Sequence, residues 1–188
     1  MSGMALLNTT ARWGWPAKAL HWAVAVLVAV MVALGVSMVW LVGDLGRQFE
    51  LYQLHKSLGV LVLALVLGRL VWRWANPVVP ALPAGLSPLE RRLAVLAHRG
   101  LYLLLLLLPL TGWIMASASP LGIPTIVFGL FRLPDMVGPD AILEGVMKVA
   151  HGLLAVSLIL LTGLHVGAAM KHHFILRDDV LLRMLPGR

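Results

Sequence analysis

The chain has 188 residues, of which 60% are hydrophobic and only 12% are charged, and its mean hydropathy is +0.92. A soluble domain of this length carries about a quarter charged residues and avoids large exposed apolar patches, so the composition predicts an integral membrane protein. The absence of cysteine excludes disulfides, thiolate iron–sulfur clusters and covalently tethered c-type haem. The net charge of +7 could suggest nucleic-acid binding. In so apolar a chain, however, basic residues more often fix the topology by facing the cytoplasm and its anionic lipids.

Four segments are long and apolar enough to cross the membrane, which takes about 20 residues for about 30 Å of hydrocarbon. In chain order they cover approximately residues 17–42, 53–74, 93–118 and 146–170. The connections 43–46 and 76–88 are short, and the second is rich in proline. The long connection 119–145 contains an apolar Phe128–Phe131 patch, which is predicted to lie as a cap on the membrane surface. Residues 1–188 contain no internal repeat and are predicted to form one all-α domain, a four-helix membrane bundle.

Lysine and arginine are distributed unevenly between the two sides of these segments. One side carries Arg12, Lys18, Arg69, Arg73, Arg91, Arg92, Arg99, Lys171, Arg177, Arg183 and Arg188. The other side carries only Arg47, Lys56, Arg132 and Lys148. Because positively charged loops are retained in the cytoplasm, this bias predicts that both termini and the second connection are cytoplasmic.

The chemically distinctive residues are seven histidines: His21, His55, His98, His151, His165, His172 and His173. Ionisable side chains inside a membrane are costly and usually mark function, although interfacial position or helix packing can account for any single one. His151 and His165 lie 14 residues apart on one predicted helix, so they are separated by about 21 Å along its axis and about 40° around it. Two ligands on one face, near opposite membrane surfaces, suit two stacked haems.

The directions of the helices pair four of these histidines by depth. His21 begins the first helix on the cytoplasmic side, level with His165, and His55 begins the second helix on the outer side, level with His151. Each pair would supply one imidazole to each face of a porphyrin. These four residues are therefore the predicted cofactor-binding residues and ligands of the haem iron.

Other arrangements of the histidines fit less well. A zinc site needs three or four ligands that converge on one ion, whereas 14 residues separate His151 from His165. His172 and His173 are adjacent, so their side chains point in different directions on a helix. His98 has no evident partner in the sequence and is interpreted as an interfacial or quinone-pocket residue.

Small residues occur near the predicted ligands. Gly59 follows His55 by one turn, and four more adjoin the ligands of the last helix: Gly152, Ala155, Gly163 and Gly167. Such residues would leave room for a flat macrocycle between helices. Gly163 and Gly167 equally fit a small-xxx-small contact between helices, so both interpretations stay open.

The sequence around these histidines resembles the bacterial cytochrome b561 family, small di-haem membrane cytochromes that include superoxide oxidase. The matching stretches are LHW at His21, LHKSLGVLVL at His55, RLVWRWANPVVP, AHRGLYLLLLLLPLTGW and GLHVGAAMKHHFILRDDVLLRMLP. The resemblance extends from about Ala17 to Pro186 and implies the same four ligands. The chain departs from the family pattern at Gly152, where an acidic residue is frequent, and near Val95, where an additional histidine is frequent.

Histidine on both faces of an iron leaves no position for oxygen, which favours electron transfer. The resemblance implies a multi-pass protein of the bacterial inner membrane that oxidises superoxide at the outer face and reduces ubiquinone in the membrane. Lys56 and Lys148, beside the outer ligands, are the candidate catalytic residues because positive side chains concentrate a small anion. Ordinary interfacial lysines that meet phospholipid would look the same. Candidates for the quinone site are Lys18, Arg73 and His172.

Two other functions stay open. The chain could be a cytochrome b subunit that passes electrons between quinone and a partner dehydrogenase or hydrogenase, although it has no sizeable soluble segment for docking. It could also be a haem-free membrane adaptor or transporter whose histidines only pack. An absorption spectrum would separate this last function from the others.

Overall fold

The computed structural model describes residues 6–83 and 85–185. Its four long helices are α1 (Trp15–Val36), α2 (Leu45–Ala75), α3 (Pro88–Ala118) and α4 (Ala141–Met170). Short π-helical segments, Ser37–Leu41 and Lys171–Leu176, continue α1 and α4, and a 3-10 turn covers Leu182–Met184. Pro186 in the family resemblance and Arg188 in the charge comparison lie outside the described residues.

All four helices are long and apolar enough to span a membrane. The prediction of an all-α membrane bundle is confirmed. Large apolar side chains cover the outer surface of the helices, such as Leu153, Leu160 and Leu164 on α4, which are 66%, 64% and 71% exposed. Lipid tails solvate such side chains, so an exposure that would cause a soluble protein to aggregate is the ordinary condition of a membrane helix.

Three helices begin five to eight residues earlier than predicted, because their capping residues lie outside the apolar stretches. Asp44 accepts the backbone N–H of Arg47 at 2.8 Å, at the start of α2. Ser87 forms a capping box with Glu90 at the start of α3. Asp140 accepts two N–H groups at the start of α4. Each cap satisfies backbone donors that would otherwise lack partners, so the helix extends beyond the hydrocarbon-facing segment.

Close packing between the helices follows chain order, with α1 against α2, α2 against α3, and α3 against α4. Val24 on α1 and Val62 and Val66 on α2 form the buried core. In the described part of the chain, α4 approaches α1 and α2 far less closely than it approaches α3. A cleft therefore separates α4 from the α1–α2 pair.

The connection between α3 and α4 contains a small antiparallel hairpin, β1 (Ile126–Val127) and β2 (Phe131–Arg132), where the sequence predicted a surface cap without strands. Its turn places Phe128 and Gly129 at φ +49° and +73°, a left-handed conformation that glycine adopts without strain. The buried hydroxyl of Ser57 on α2 accepts the N–H of Phe128 at 3.0 Å. The hairpin is thus fixed to α2 two residues after His55. We call this end of the bundle the hairpin end.

The described segments before α1 and after α4 lie at the opposite end of the bundle, which we call the terminal end. Asn8 donates to the carbonyl of Val78 at 3.0 Å, and Arg183 donates to the carbonyl of Ala81 at 2.6 Å. Trp22 on α1 donates to the carbonyl of Met184 at 2.8 Å. The segment after α4 is therefore tied both to α1 and to the α2–α3 connection.

Candidate functional site

Two histidines face each other across the cleft near the terminal end. His21 lies in the second turn of α1 and His165 near the end of α4, and their ring centroids are 6.2 Å apart with planes inclined by 68°. The edge of the Trp22 ring lies beside His21, with centroids 5.4 Å apart. We call His21 and His165 the terminal-end pair.

A second pair with nearly the same geometry lies toward the hairpin end. His55 on α2 and His151 on α4 have ring centroids 6.4 Å apart and planes inclined by 69°. His165 follows His151 by 14 positions on α4, so the two pairs lie about 21 Å apart along that helix. We call His55 and His151 the hairpin-end pair.

The separation within each pair fits a metal atom between two imidazoles. A direct hydrogen bond between facing ring nitrogens would bring the centroids to about 5 Å. Two metal–nitrogen bonds of about 2 Å, plus about 1.1 Å from each nitrogen to its ring centre, give about 6.2 Å. The observed 6.2 and 6.4 Å match the second arrangement. No cluster of three or more His, Asp or Glu suited to a metal ion occurs in residues 6–83 and 85–185. The geometry therefore suits two-ligand sites such as those of a bis-histidine haem.

His151 is held by α3. Its Nδ1 lies 3.1 Å from the carbonyl oxygen of Leu108 and 3.2 Å from Oγ1 of Thr111. Gly112 allows this approach, because a Cβ atom at that position would lie 3.2 Å from Cε1 of the imidazole. No role for Leu108, Thr111 or Gly112 was predicted from the sequence. Thr111 and Gly112, a polar and a small residue shortly after Pro109 inside a membrane span, could have indicated a close contact with a neighbouring helix.

His55 has a different environment. Its Nδ1 is buried and has no hydrogen-bond partner within the described chain. The nearest glycine, Gly35 on α1, would place a Cβ at an ordinary 3.8 Å from Cε1 of the ring. The two histidines of the hairpin-end pair thus differ in how firmly they are held.

His98 lies beside the terminal-end pair, although the sequence showed no partner for it. Its ring centroid is 5.2 Å from that of His165, with planes inclined by 86°. Its Nδ1 donates to the carbonyl of Ala94 at 2.6 Å, because a carbonyl oxygen can only accept. This neighbour was not evident from the sequence, because the packing of α3 against α4 cannot be read from spacing along one helix. The interpretation of His98 as an interfacial or quinone-pocket residue stays a prediction.

Arg69 is, after His98, a second neighbour of the terminal-end pair, and no role at this pair was predicted for it from the sequence. Its guanidinium donates to the carbonyl of Ala17 at 3.0 Å, one turn before His21, and to the hydroxyl of Tyr102 at 2.8 Å. Its positive charge is close enough to His21 and His165 to repel a second positive charge on either ring. An arginine inside a membrane span was a sufficient signal.

The two candidate catalytic lysines both lie toward the hairpin end. Lys148 is exposed, one turn before His151 on α4. Lys56 follows His55 and is half-buried, with Nζ 3.5 Å from the carbonyl oxygen of Pro124. Of these two lysines, Lys148 therefore exposes its charge more fully at the surface of the bundle.

The three quinone candidates share the terminal end, and each contacts a different partner. Lys18 is buried and donates to the carbonyl of Leu185 at 2.9 Å, and the Arg73 guanidinium lies 6.0 Å from the centre of the Trp13 ring. His172 Nδ1 is 2.5 Å from a carboxylate oxygen of Asp178. Burial acts to raise the pKa of Asp178, but the hydrogen bonds from His172 and the Val180 N–H outweigh it, so this pKa lies below its ordinary value.

Gly163 and Gly167 support neither of the interpretations given to them. A Cβ at either position would meet no atom within 4 Å among the described residues. Two residues along a helix correspond to about 200°, so both glycines lie on the side of α4 opposite His165. They neither border the terminal-end pair nor form a helix contact with any other described part of this chain.

A membrane bundle of four helices, with facing histidines in a cleft, defines the class of membrane haem b electron-transfer proteins. Residues 12–187 match the family model described as prokaryotic cytochrome b561, and the chain belongs to that family. It is a multi-pass electron-transfer protein of the bacterial inner membrane, and membership implies haem b as its cofactor and lipid as its surroundings. The recognised resemblance is confirmed.

Three curated relatives align along most of this chain. It is 37% identical to "Cytochrome b561 homolog 2" of Escherichia coli (strain K12) over 182 residues, 97% of this chain and 95% of the relative. It is 33% identical to "Probable superoxide oxidase CybB" of Yersinia pestis over 169 residues, 89% and 92% of the two chains. It is 31% identical to "Cytochrome b561 homolog 1" of the same E. coli strain over 172 residues, 90% and 94% of the two chains.

Proposed function

We propose that the chain binds two haems b, one between the histidines of each pair, and transfers electrons from superoxide to ubiquinone. In this proposal the hairpin end faces the outside of the inner membrane, and the terminal end faces the cytoplasm. The excess of lysine and arginine toward the terminal end supports that orientation. The similarity to the relative named "Probable superoxide oxidase CybB" supports the choice of superoxide.

The observation that carries the proposal is the repeated geometry of the histidine pairs. Both pairs bridge the same cleft, with ring centroids 6.2 and 6.4 Å apart, and both use α4. One rigid helix therefore holds a ligand near each membrane surface. Two sites at two depths, rather than one, are what electron transfer across a membrane requires.

In this proposal the haem carries the electron, and the protein attracts superoxide to it. When bound, haem b supplies a one-electron redox centre whose iron is fully ligated. Superoxide can give up its electron without coordinating iron, so the protein needs only to attract the anion. Two superoxide anions yield two molecules of oxygen and two electrons, and ubiquinone takes those electrons with two protons to become ubiquinol.

Lysine charge at the hairpin end would guide superoxide. Lys148 is exposed one turn from His151, and positive side chains raise the local concentration of anions. Lys56, which is half-buried beside the hairpin, would contribute less because its Nζ already lies 3.5 Å from a carbonyl oxygen. Both residues act only by electrostatic attraction in this proposal.

The quinone would bind near the terminal-end pair. His172 is held through Nδ1 by Asp178, so Nε2 is the ring atom that would exchange a proton with a quinone oxygen. Lys18 and Arg73 add positive charge at the same end, which would stabilise the negative charge that the quinone gains with each electron before it takes up a proton. The segment after α4 would form one wall of the pocket, because it is bonded to Lys18 and Trp22.

Stopped-flow spectroscopy of the purified protein tests this proposal. Generated superoxide should reduce the haem, superoxide dismutase should abolish that reduction, and added ubiquinone should reoxidise the protein. The rate should fall as salt rises, because exposed charges are screened over about 8–10 Å. Lys148→Glu should lower it further. Arg47→Glu is the matched control, since Arg47 is exposed at the same end but lies two turns before His55.

The opposite pattern would identify a different function. If the haem stays oxidised under superoxide but is reduced readily by ubiquinol, electrons flow from quinol to a protein partner. The chain would then act as a cytochrome b subunit of a larger enzyme. Equal effects of Lys148→Glu and Arg47→Glu would show that local charge beside His151 has no special role.

A further inference from the structure

We infer that Thr111 is a positioning residue that accepts the Nδ1–H of His151, orients its ring, and thereby lowers the redox potential of the haem at the hairpin-end pair. The inference rests on the proposed function, because it requires a haem between His55 and His151. It concerns a residue on α3, a helix that supplies none of the four predicted ligands.

Hydrogen-bond geometry assigns the proton. The Leu108 carbonyl oxygen, 3.1 Å from Nδ1 of His151, can only accept, so Nδ1 must carry hydrogen. The Thr111 hydroxyl donates its own hydrogen to that same carbonyl at 2.9 Å, which leaves its oxygen lone pairs directed to other donors. Oγ1 lies 3.2 Å from Nδ1 and therefore accepts the same N–H. With Nδ1 protonated, Nε2 is the ring nitrogen that would be free to bind the haem iron.

The packing of α3 against α4 makes this contact possible. A side chain at position 112 would meet the imidazole at 3.2 Å from Cε1 and 3.5 Å from Nδ1. Glycine at that position lets the ring approach the α3 backbone closely enough to reach both acceptors. The Thr111 and Leu108 oxygens then hold the ring in one orientation.

The two ligands of this haem are consequently unequal. Nδ1 of His151 has two acceptors, whereas Nδ1 of His55 is buried without a partner among the described residues. A hydrogen bond from the distal N–H makes an imidazole a stronger electron donor to the metal. Stronger donation stabilises the ferric state, so these contacts lower the potential of this haem.

Redox titration of the intact protein in detergent tests the inference. Thr111→Val should raise the midpoint potential of one haem, change the EPR g-values of that haem, and leave the other haem unchanged. Thr111→Ser keeps the hydroxyl and should restore the wild-type potential and spectrum. Ser157→Ala is the control on α4, because its hydroxyl is exposed and bonds only to its own helix at Leu153. If Thr111→Val does not assemble, Thr111→Ala removes the hydroxyl without a branched replacement.

The haem content and the potentials of the variants test the proposed function and the role of Thr111 separately. A wild-type preparation with one haem would remove the proposed function, and the role of Thr111 with it. Two haems with potentials unchanged by Thr111→Val or Thr111→Ala would overturn the role of Thr111 alone. Equal shifts in Thr111→Val and Thr111→Ser would also overturn it, because the effect would then come from packing and not from the hydroxyl.

Discussion

Replacing Gly112 by alanine should weaken haem binding at the hairpin-end pair and spare the other pair. The added Cβ would lie 3.2 Å from Cε1 of His151, a few tenths of an ångström inside ordinary contact. The ring cannot simply rotate away, because its Nδ1 is bonded to Leu108 and Thr111. Overpacking of a tight site costs about 1–3 kcal/mol, which corresponds to about 5- to 150-fold weaker binding of this haem.

The rate of haem transfer to excess apomyoglobin measures this effect, with the terminal-end haem as an internal reference. Two glycines provide matched controls. Gly35→Ala adds a Cβ at an ordinary 3.8 Å from Cε1 of His55, and Gly163→Ala adds one with no neighbour within 4 Å among the described residues. Both should retain haem as the wild type does. The reasoning is refuted if Gly112→Ala also retains it, or if all three variants lose haem alike.

The remaining predictions concern the ligands and the charge beside one pair. The four ligand variants are His21→Ala, His165→Ala, His55→Ala and His151→Ala. His21→Ala and His165→Ala should both lose the terminal-end haem, and His55→Ala and His151→Ala should both lose the hairpin-end haem. Redox titration should therefore show two classes of variant. If His21→Ala and His165→Ala lose different haems, the pairing is wrong. Arg69→Gln should lower the potential of the terminal-end haem, because the nearby cation favours the reduced state. The same change removes the hydrogen bond from Arg69 to the Ala17 carbonyl on α1, which should destabilise the fold by about 1.5–3 kcal/mol. Tyr102→Phe keeps that cation and should leave this potential nearly unchanged; an equal fall in both variants would contradict the role of charge.

The four membrane spans were predictable because an apolar stretch of about 20 residues matches the thickness of the hydrocarbon and is rare in soluble proteins. The first residues of α2, α3 and α4 were not predicted correctly from hydropathy. These helices begin directly after the caps Asp44, Ser87 and Asp140, which form local hydrogen bonds outside the apolar stretches. The β1–β2 hairpin was also not predicted, because it too depends on hydrogen bonds outside the apolar stretches. Its strands are two residues each, and its position depends on a tertiary contact with Ser57.

The pairing of the histidines followed from helix geometry alone. The 14-residue spacing on α4 and the alternating directions of the helices predict the two pairs that face each other in the structure. Their role as haem ligands stays a prediction. The backbone contact to Leu108 was beyond sequence reasoning, because a carbonyl group has no sequence signature. Arg69, Thr111 and Gly112 did carry a signal, as polar or small residues inside membrane spans, but no role at the pairs was predicted for them. Gly163 and Gly167 were wrongly expected to leave room for the macrocycle beside His165, because nearness in sequence was taken for a shared helix face.

The haem content of the purified protein tests the central claim most directly. Two haems b held only by histidine should be extracted completely by acid-acetone, since the chain has no cysteine to form a thioether. The pyridine haemochrome spectrum, divided by protein concentration, should then give two haems per chain. A value near one, or haem that resists extraction, would contradict the assignment of one haem to each histidine pair.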